Sequence, residues 1–332
     1  MGSADGTVVG VEKVANNGPD DQNWNLVIMG DGFTKDEQGK FKDHVSGFVR
    51  HMQGTAPFSE NAVWRRVNVH RIDVWSKESG ADNPPTCADG SSPIGGAATT
   101  AATYFDASFC NYGHRRFLEV NNGLALTTAA SKVPNVHNVL VAVNSIEEGG
   151  TGGFVGCYSL GSVTFDTALH ELGHVAFQLG DEYEYLSSCF NIDKDNEMYT
   201  GPEPTQPNIT KNGSDRATLK WRHLVGMATD LPTTKHTLCI VCPPQTNPVS
   251  ASTVGAFVGA GTFHCGLYRP MFNCKMRQVE QPFCPVCKDA IRRKLAVTTP
   301  PPSSCPPAFA FAGSSRPNVA ETLRRRDRRG GG

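Results

Sequence analysis

The sequence predicts a mixed α/β (α+β) fold, with a twisted mixed sheet and two long helices followed by an irregular, cysteine-rich part. Three features carry this reading. Four short apolar runs, Asn25–Met29, Val63–Trp75, Asn138–Asn144 and Phe154–Leu160, have the length and composition of strands. Two stretches repeat apolar residues at helical spacing: Phe41, Val45, Phe48, Val49 and Met52, and then Leu169, Leu172, Val175, Ala176 and Leu179. Beyond Glu184 the periodic signal fades, while most of the eleven cysteines fall there.

Taken in order, residues 1–21 are polar and Gly/Asn-rich and read as a loop or short edge strand. The run Asn25–Met29 is a strand stopped by Gly30-Asp31-Gly32, and Thr34-x-x-Glu37 is a capping box opening the first long helix. In Val63–Trp75 the alternation of Val67 and Val69 slips phase before Ile72 and Val74, which predicts a bulge. Residues 76–102 are Gly/Pro/Ser-rich loop, and Cys110 is the natural partner for Cys87. Asn138–Asn144 and Phe154–Leu160 are strands either side of the glycine-rich turn Glu147–Gly153. Thr167 can cap a helix running to Leu179. Cys284-Pro-Val-Cys287 opens a last helix, Lys288–Val297, and from Thr298 the composition is that of a disordered tail. The resulting organisation is an N-terminal segment (1–21), an upper subdomain (22–185), a lower subdomain (186–297) and the tail (298–332).

Composition excludes several classes of function. An apolar fraction of 39% and a charged fraction of 19% are those of a folded globular chain. No apolar run approaches the roughly 20 residues a bilayer needs, so no membrane span is expected. The net charge is −1, and the tail Arg324–Arg329 alone holds five arginines and one aspartate, so the remainder is acidic. That argues against nucleic acid as a partner and leaves the arginine tail as a solvated extension. Eleven thiols suit an oxidising compartment, as do the sequons Asn208-Ile-Thr and Asn212-Gly-Ser. Residues 1–5 have neither a basic start nor an apolar core, so the reading is of a secreted protein whose leader is not visible.

The chemistry centres on His170-Glu171-Leu172-Gly173-His174. Residues four apart on a helix lie roughly 40° apart around its axis, so both imidazoles can share one ion, and imidazole nitrogen suits Zn2+. Glu171, beside the first ligand, can accept a proton from water and pass it to a leaving amine. A third protein ligand is then needed, and Asp181 in Gly180-Asp181-Glu182-Tyr183 is the leading candidate. Eleven residues of unbroken helix would put it roughly 16 Å from His170, so the helix must end near Leu179, with Gly180 supplying a left-handed turn. Glu182, His223 and His264 are the other candidates.

Several segments together resemble one family, the IgA-peptidase-type zinc metalloendopeptidases, which have a metzincin-like (zincin) architecture. They are Leu26-Val-Ile-Met-Gly-Asp-Gly-Phe33, Ile72-Asp-Val-Trp-Ser76, Glu78-Ser-Gly-Ala-Asp82, His170-Glu-Leu-Gly-His174 with Gly180-Asp-Glu-Tyr183, Tyr268-Arg-Pro, Asn273-Cys-Lys-Met-Arg277 and Phe283-Cys-Pro-Val-Cys287, spanning about residues 22–297. The resemblance implies zinc-dependent cleavage of peptide bonds, with His170 and His174 as ligands and Glu171 as base. It also implies a methionine turn under the metal, onto which Met276 maps, and a metal in a cleft between the two subdomains. The metzincin spacing would put a glycine at Phe177 and the third ligand at Gly180; here the acid comes one place later, at Asp181.

The same resemblance makes Phe154–Leu160 the sheet edge that pairs with an extended substrate, with Gly149–Gly153 as its approach; a plain hairpin is the alternative. Tyr268 is a candidate for holding an oxyanion or, equally, a buried structural tyrosine. The pairs Cys239/Cys242 and Cys284/Cys287 are separated too widely for a conventional zinc site and read as disulfide cysteines, with structural zinc as the rival. The whole is read as a monomeric zinc endopeptidase acting on proteins or peptides. A zinc amidase for a non-protein or cell-wall amide, and a secreted binding module with purely structural zinc, are the alternatives.

Overall fold

The computed structural model describes residues 3–184, 198–236, 238–240 and 246–297. Cys189, Cys242, Cys305 and the arginine tail lie outside them. Two of the apolar runs become the middle of a six-stranded mixed sheet. β2 (Trp24–Asp31) and β4 (Asn138–Val143) pair in parallel, with Leu26 opposite Asn138 and Asp31 opposite Val143. β2 is covered on both faces and β4 nearly so, the burial that continuous apolar sequence permits. β3 (Val67–Ser76) runs parallel along the other side of β2, Trp24 opposite Val67. The outer strands are β1 (Gly6–Ala15), antiparallel to β3, then β6 (Gly156–Ser159), parallel to β4, and β5 (Gly150–Gly152), antiparallel to β6. The order is β1-β3-β2-β4-β6-β5.

Three expectations are corrected in this sheet. Of the two readings of the N-terminal segment the edge strand holds, over ten residues. Residues Asn61–Trp64 form a short helix, α2, so the strand expected from Val63 begins at Val67. The bulges belong to β1, where the register slips between Val8 and Gly10 and between Lys13 and Ala15; β3 needs no bulge because both its faces are buried. The edge is β5, not Phe154–Leu160: three residues of the glycine-rich turn pair with β6, giving the plain hairpin.

The chain divides into two compact units. The first comprises the residues up to Gly47 with Val67–Thr164 and holds the sheet. One sheet face buries Val27, Met29, Ile72, Val139 and Val141 with Phe105 and Leu118. Ala125 and Ala129 join that core from α3 (Asn122–Lys132), a helix with too weak an apolar stripe to be foreseen and capped by the Asn121 side chain, which accepts from the Leu124 N–H at 3.0 Å. On the opposite face α1 (Gln38–Gly54) begins, led by the foreseen box, in which Glu37 accepts from the N–H and the hydroxyl of Thr34, both at 2.9 Å. A β-carbon on Gly30 would stand 2.9 Å from both Phe33 and Phe41, so glycine there lets the helix seat against β2. Buried Asp31 ties down the loop beyond, accepting from the N–H groups of Phe105 (2.8 Å) and Ala107 (3.0 Å) and from the Thr103 hydroxyl (2.8 Å). Cys87 and Cys110 are bonded, as the sequence suggested.

The second unit comprises Phe48–Arg66 and residues 165–297. It contains nearly all of α4 (Thr164–Phe177), an antiparallel hairpin of β7 (Phe257–Ala260) and β8 (Phe263–Arg269), and α5 (Pro285–Ala296). The hairpin turn is Gly261-Thr262, both with positive φ (59° and 76°), the backbone that a two-residue turn requires. Periodicity gave no hint of it, because β8 alternates only loosely between buried and partly buried residues. Cys239 is bonded to Cys265. Among the described residues no helix is long and apolar enough to cross a membrane.

Candidate metal centre

α4 buries Ala168, Leu169, Leu172, Ala176 and Phe177, and the same winding brings His170 and His174 to one side. The rings meet edge to face, with their Nε2 atoms 3.1 Å apart. Each is turned by a backbone carbonyl at its far nitrogen: His170 Nδ1–H donates to Lys275 O (3.0 Å) and His174 Nδ1–H to Leu179 O (2.7 Å). A carbonyl oxygen only accepts, so both Nδ1 atoms carry a hydrogen, and in the neutral rings both Nε2 atoms present lone pairs.

The third group arrives through a change of direction after Phe177. Gln178 takes the left-handed conformation (φ 56°), and the Leu179 N–H reaches back to Gly173 O at 3.0 Å. This corrects the role expected for Gly180, which has no positive φ. Its requirement is space: a β-carbon there would stand 2.8 Å from Ile209 Cδ1. Asn208 clamps the segment, its Oδ1 accepting from the Gly180 N–H (2.7 Å) and its Nδ2 donating to Gly180 O and to Glu182 Oε1 (both 2.8 Å). Asp181 Oδ1 is thereby carried to 3.3 Å from His170 Nε2 and 3.0 Å from His174 Nε2.

Three acceptor atoms thus converge on one point, an arrangement that is repulsive unless a proton or cation lies among them. In the protein without metal a proton fills that need. Burial opposes the charged imidazolium of His170, but the hydrogen bond to Asp181 and the charges of Glu171 and Asp181 outweigh it and raise its pKa to about 9. The carboxyl of the half-buried Asp181 is held well below the usual range by His174 and His170, against the cost of desolvation. Two imidazoles and a carboxylate are the donor set of a three-ligand zinc site. Ligand atoms on a tetrahedral zinc stand about 3.3 Å apart, close to the separations seen here.

Below the pair, Met276 is fully buried in the turn that Arg277 and Gln278 close by donating to Cys274 O, both at 2.9 Å. A β-carbon on Gly173 would stand 2.8 Å from Met276 Sδ, so the helix lies directly on the thioether. Glu171 is buried beside His170. The other candidates are placed elsewhere. His223 contacts Asp289 at 3.1 Å, His264 Nδ1 lies 3.2 Å from Cys239 O, and the ring of Tyr268 covers Gly213. Glu182 turns to a group of cysteines: Cys274, Cys284 and Cys287 carry no disulfide, which corrects the reading of the Cys284/Cys287 pair.

Sequence reasoning missed Asn208, which looked like a glycosylation acceptor and is wholly buried, and Lys275, whose carbonyl orients His170. It also missed Glu184, buried between Arg277 (3.0 Å) and Arg269 (3.6 Å). An acid-rich run after a metal helix was the only available signal, and it does not say which acid goes where.

The family model described as IgA peptidase M64 matches residues 12–238 and 245–295, most of the chain and all of the residues around the His170 group. No curated protein matches the chain.

Proposed function

The chain belongs to the IgA peptidase M64 family, and we propose that it is a zinc-dependent endopeptidase of metzincin-like architecture. The observation that carries this is the convergence of His170 Nε2, His174 Nε2 and Asp181 Oδ1, which stand 3.0–3.3 Å from one another. These three residues would hold the ion. When bound, zinc lowers the pKa of a water to roughly 7 and polarises the scissile carbonyl.

The rest falls to the chain's own groups. Lys275 O and Leu179 O fix the imidazoles in the tautomer that leaves Nε2 free to bind, and each contact also makes the ring a better donor. Met276 sets the height of the helix carrying both rings. Glu171 takes the proton from the attacking water and delivers it to the leaving amine. Among the described residues three ligands, rather than four, converge there, which favours a hydrolytic site over a sealed structural one. The partner is a protein or peptide chain, and the enzyme acts as a monomer. The bonds Cys87–Cys110 and Cys239–Cys265 support a secreted, oxidising location.

The test is Glu171→Gln. Elemental analysis should find zinc undiminished while peptide hydrolysis falls by at least about a hundredfold. Retained hydrolysis would remove the proposed base, and loss of zinc would make Glu171 a structural residue.

A further inference from the structure

Cys274, Cys284, Cys287 and Glu182 form a second group of metal-ligating side chains, all buried, with one donor atom from each lying within 4.8 Å of the other three. Cys274 Sγ and Cys287 Sγ are 3.6 Å apart, far beyond the roughly 2.05 Å of a disulfide. Cys287 Sγ is 3.3 Å and Cys284 Sγ 4.0 Å from Glu182 Oε1. A tetrahedral zinc with Zn–S near 2.3 Å and Zn–O near 2.0 Å spaces its ligands about 3.8 Å (S to S) and about 3.5 Å (S to O). These three separations are each within about 0.5 Å of the edges of a zinc tetrahedron.

Two further observations point to a cation. Glu182 Oε2 is buried and has no hydrogen-bond partner, a costly state for a carboxylate oxygen unless positive charge is at hand. The sulfurs are also oriented by backbone donors: Cys284 N–H points to Cys274 Sγ (3.3 Å) and Cys287 N–H to Cys284 Sγ (3.4 Å), at the N-terminus of α5 where thiolates are favoured. Three thiols gathered within 4.8 Å, in a chain that elsewhere forms disulfides, stay reduced most simply if a metal holds them.

We propose that Cys274, Cys284, Cys287 and Glu182 bind a structural zinc ion, a second site separate from the His170 group and independent of the peptidase reading. Soft thiolates in a set of four buried ligands select zinc, and four protein ligands close the site to substrate. The ion ties three segments together: the one after α4, the methionine turn and the start of α5. Asp181 and Glu182 are neighbours facing different ions. The Glu182 N–H also donates to Met276 O at 2.7 Å, so the second ion braces both the third ligand and the floor of the first.

The experiment is metal counting on the full chain, with and without the first site. Wild type should carry about two zinc ions, and His170→Ala/His174→Ala about one. That double variant, reloaded with cobalt, should show an intense near-ultraviolet thiolate-to-cobalt absorption, and adding Cys284→Ser/Cys287→Ser should abolish it. The proposal fails if His170→Ala/His174→Ala binds no metal and gives no such absorption. It fails equally if mass spectrometry finds a disulfide joining any two of the three cysteines.

Discussion

Gly173 lies directly over Met276: a β-carbon at that position would stand 2.8 Å from the thioether sulfur. The glycine of the His-Glu-Leu-Gly-His run is thus a contact surface, and the distance from helix to methionine turn sets where both imidazoles sit. Gly173→Ala should overpack this contact and destabilise the fold by about 1–3 kcal/mol. A thermal melt with a zinc competition titration reads both effects. Unchanged stability and zinc affinity would mean that the turn gives way freely.

On the proposed zinc site, chelating the metal should expose a pH dependence that the bound ion would hide. In the metal-free protein the pKa of His170 is raised from 6.5 to about 9, because its contacts with Asp181 and Glu171 outweigh burial. A raised folded-state pKa stabilises fully below 6.5, and that stability is lost as pH climbs through about 9. Melting temperature in chelator should therefore fall across this window. Zinc must displace the same proton, so apparent zinc affinity should rise about tenfold per pH unit until about pH 9 and then level off. A flat profile in both measurements would contradict the assignment.

Asn208 should be unglycosylated in the folded protein, because its amide is spent on Gly180 and Glu182. Asn212 is exposed and open to modification. Asn208→Ala should cost about 3 kcal/mol in unsatisfied buried groups. Asn208→Asp should cost more, since it puts a carboxylate oxygen where Nδ2 now donates to two other oxygens. Denaturant melts of the two variants and a glycopeptide map decide it.

Glu184→Gln should be among the most destabilising single changes. Glu184 is the buried counter-charge of Arg277 and Arg269, which flank the Phe272 ring at 4.8 and 5.6 Å. Neutralising it removes the buried carboxylate charge that both guanidinium groups face, a loss of about 3–5 kcal/mol. Equilibrium unfolding measures this directly. A change below about 1 kcal/mol would mean that water already solvates the arginines.

Much of the molecule was legible because local chemistry dictated it. Continuous apolar runs of strand length suit strands covered on both faces, and those at Asn25–Met29 and Asn138–Asn144 became β2 and β4. Thr34 and Glu37 signalled their cap, and His170 and His174 their shared side of a helix, through fixed offsets along the chain. The β7–β8 hairpin and α3 were not legible, since neither carries a strong apolar period.

The sequence by itself determined α4 with its two imidazoles and the neighbouring carboxylate, and the central strands, since each rests on patterns within a few residues. Only the tertiary structure sorted three closely spaced acids: it carries Asp181, the leading candidate in the sequence, to the imidazoles, Glu182 to the cysteines and Glu184 to the arginines. Only it showed that Gly180 yields space to Ile209 rather than supplying a turn. The physical reason is that a carboxylate goes wherever a compensating charge or donor awaits it, and those partners come from segments tens of residues away. Spacing along the chain carries no record of them.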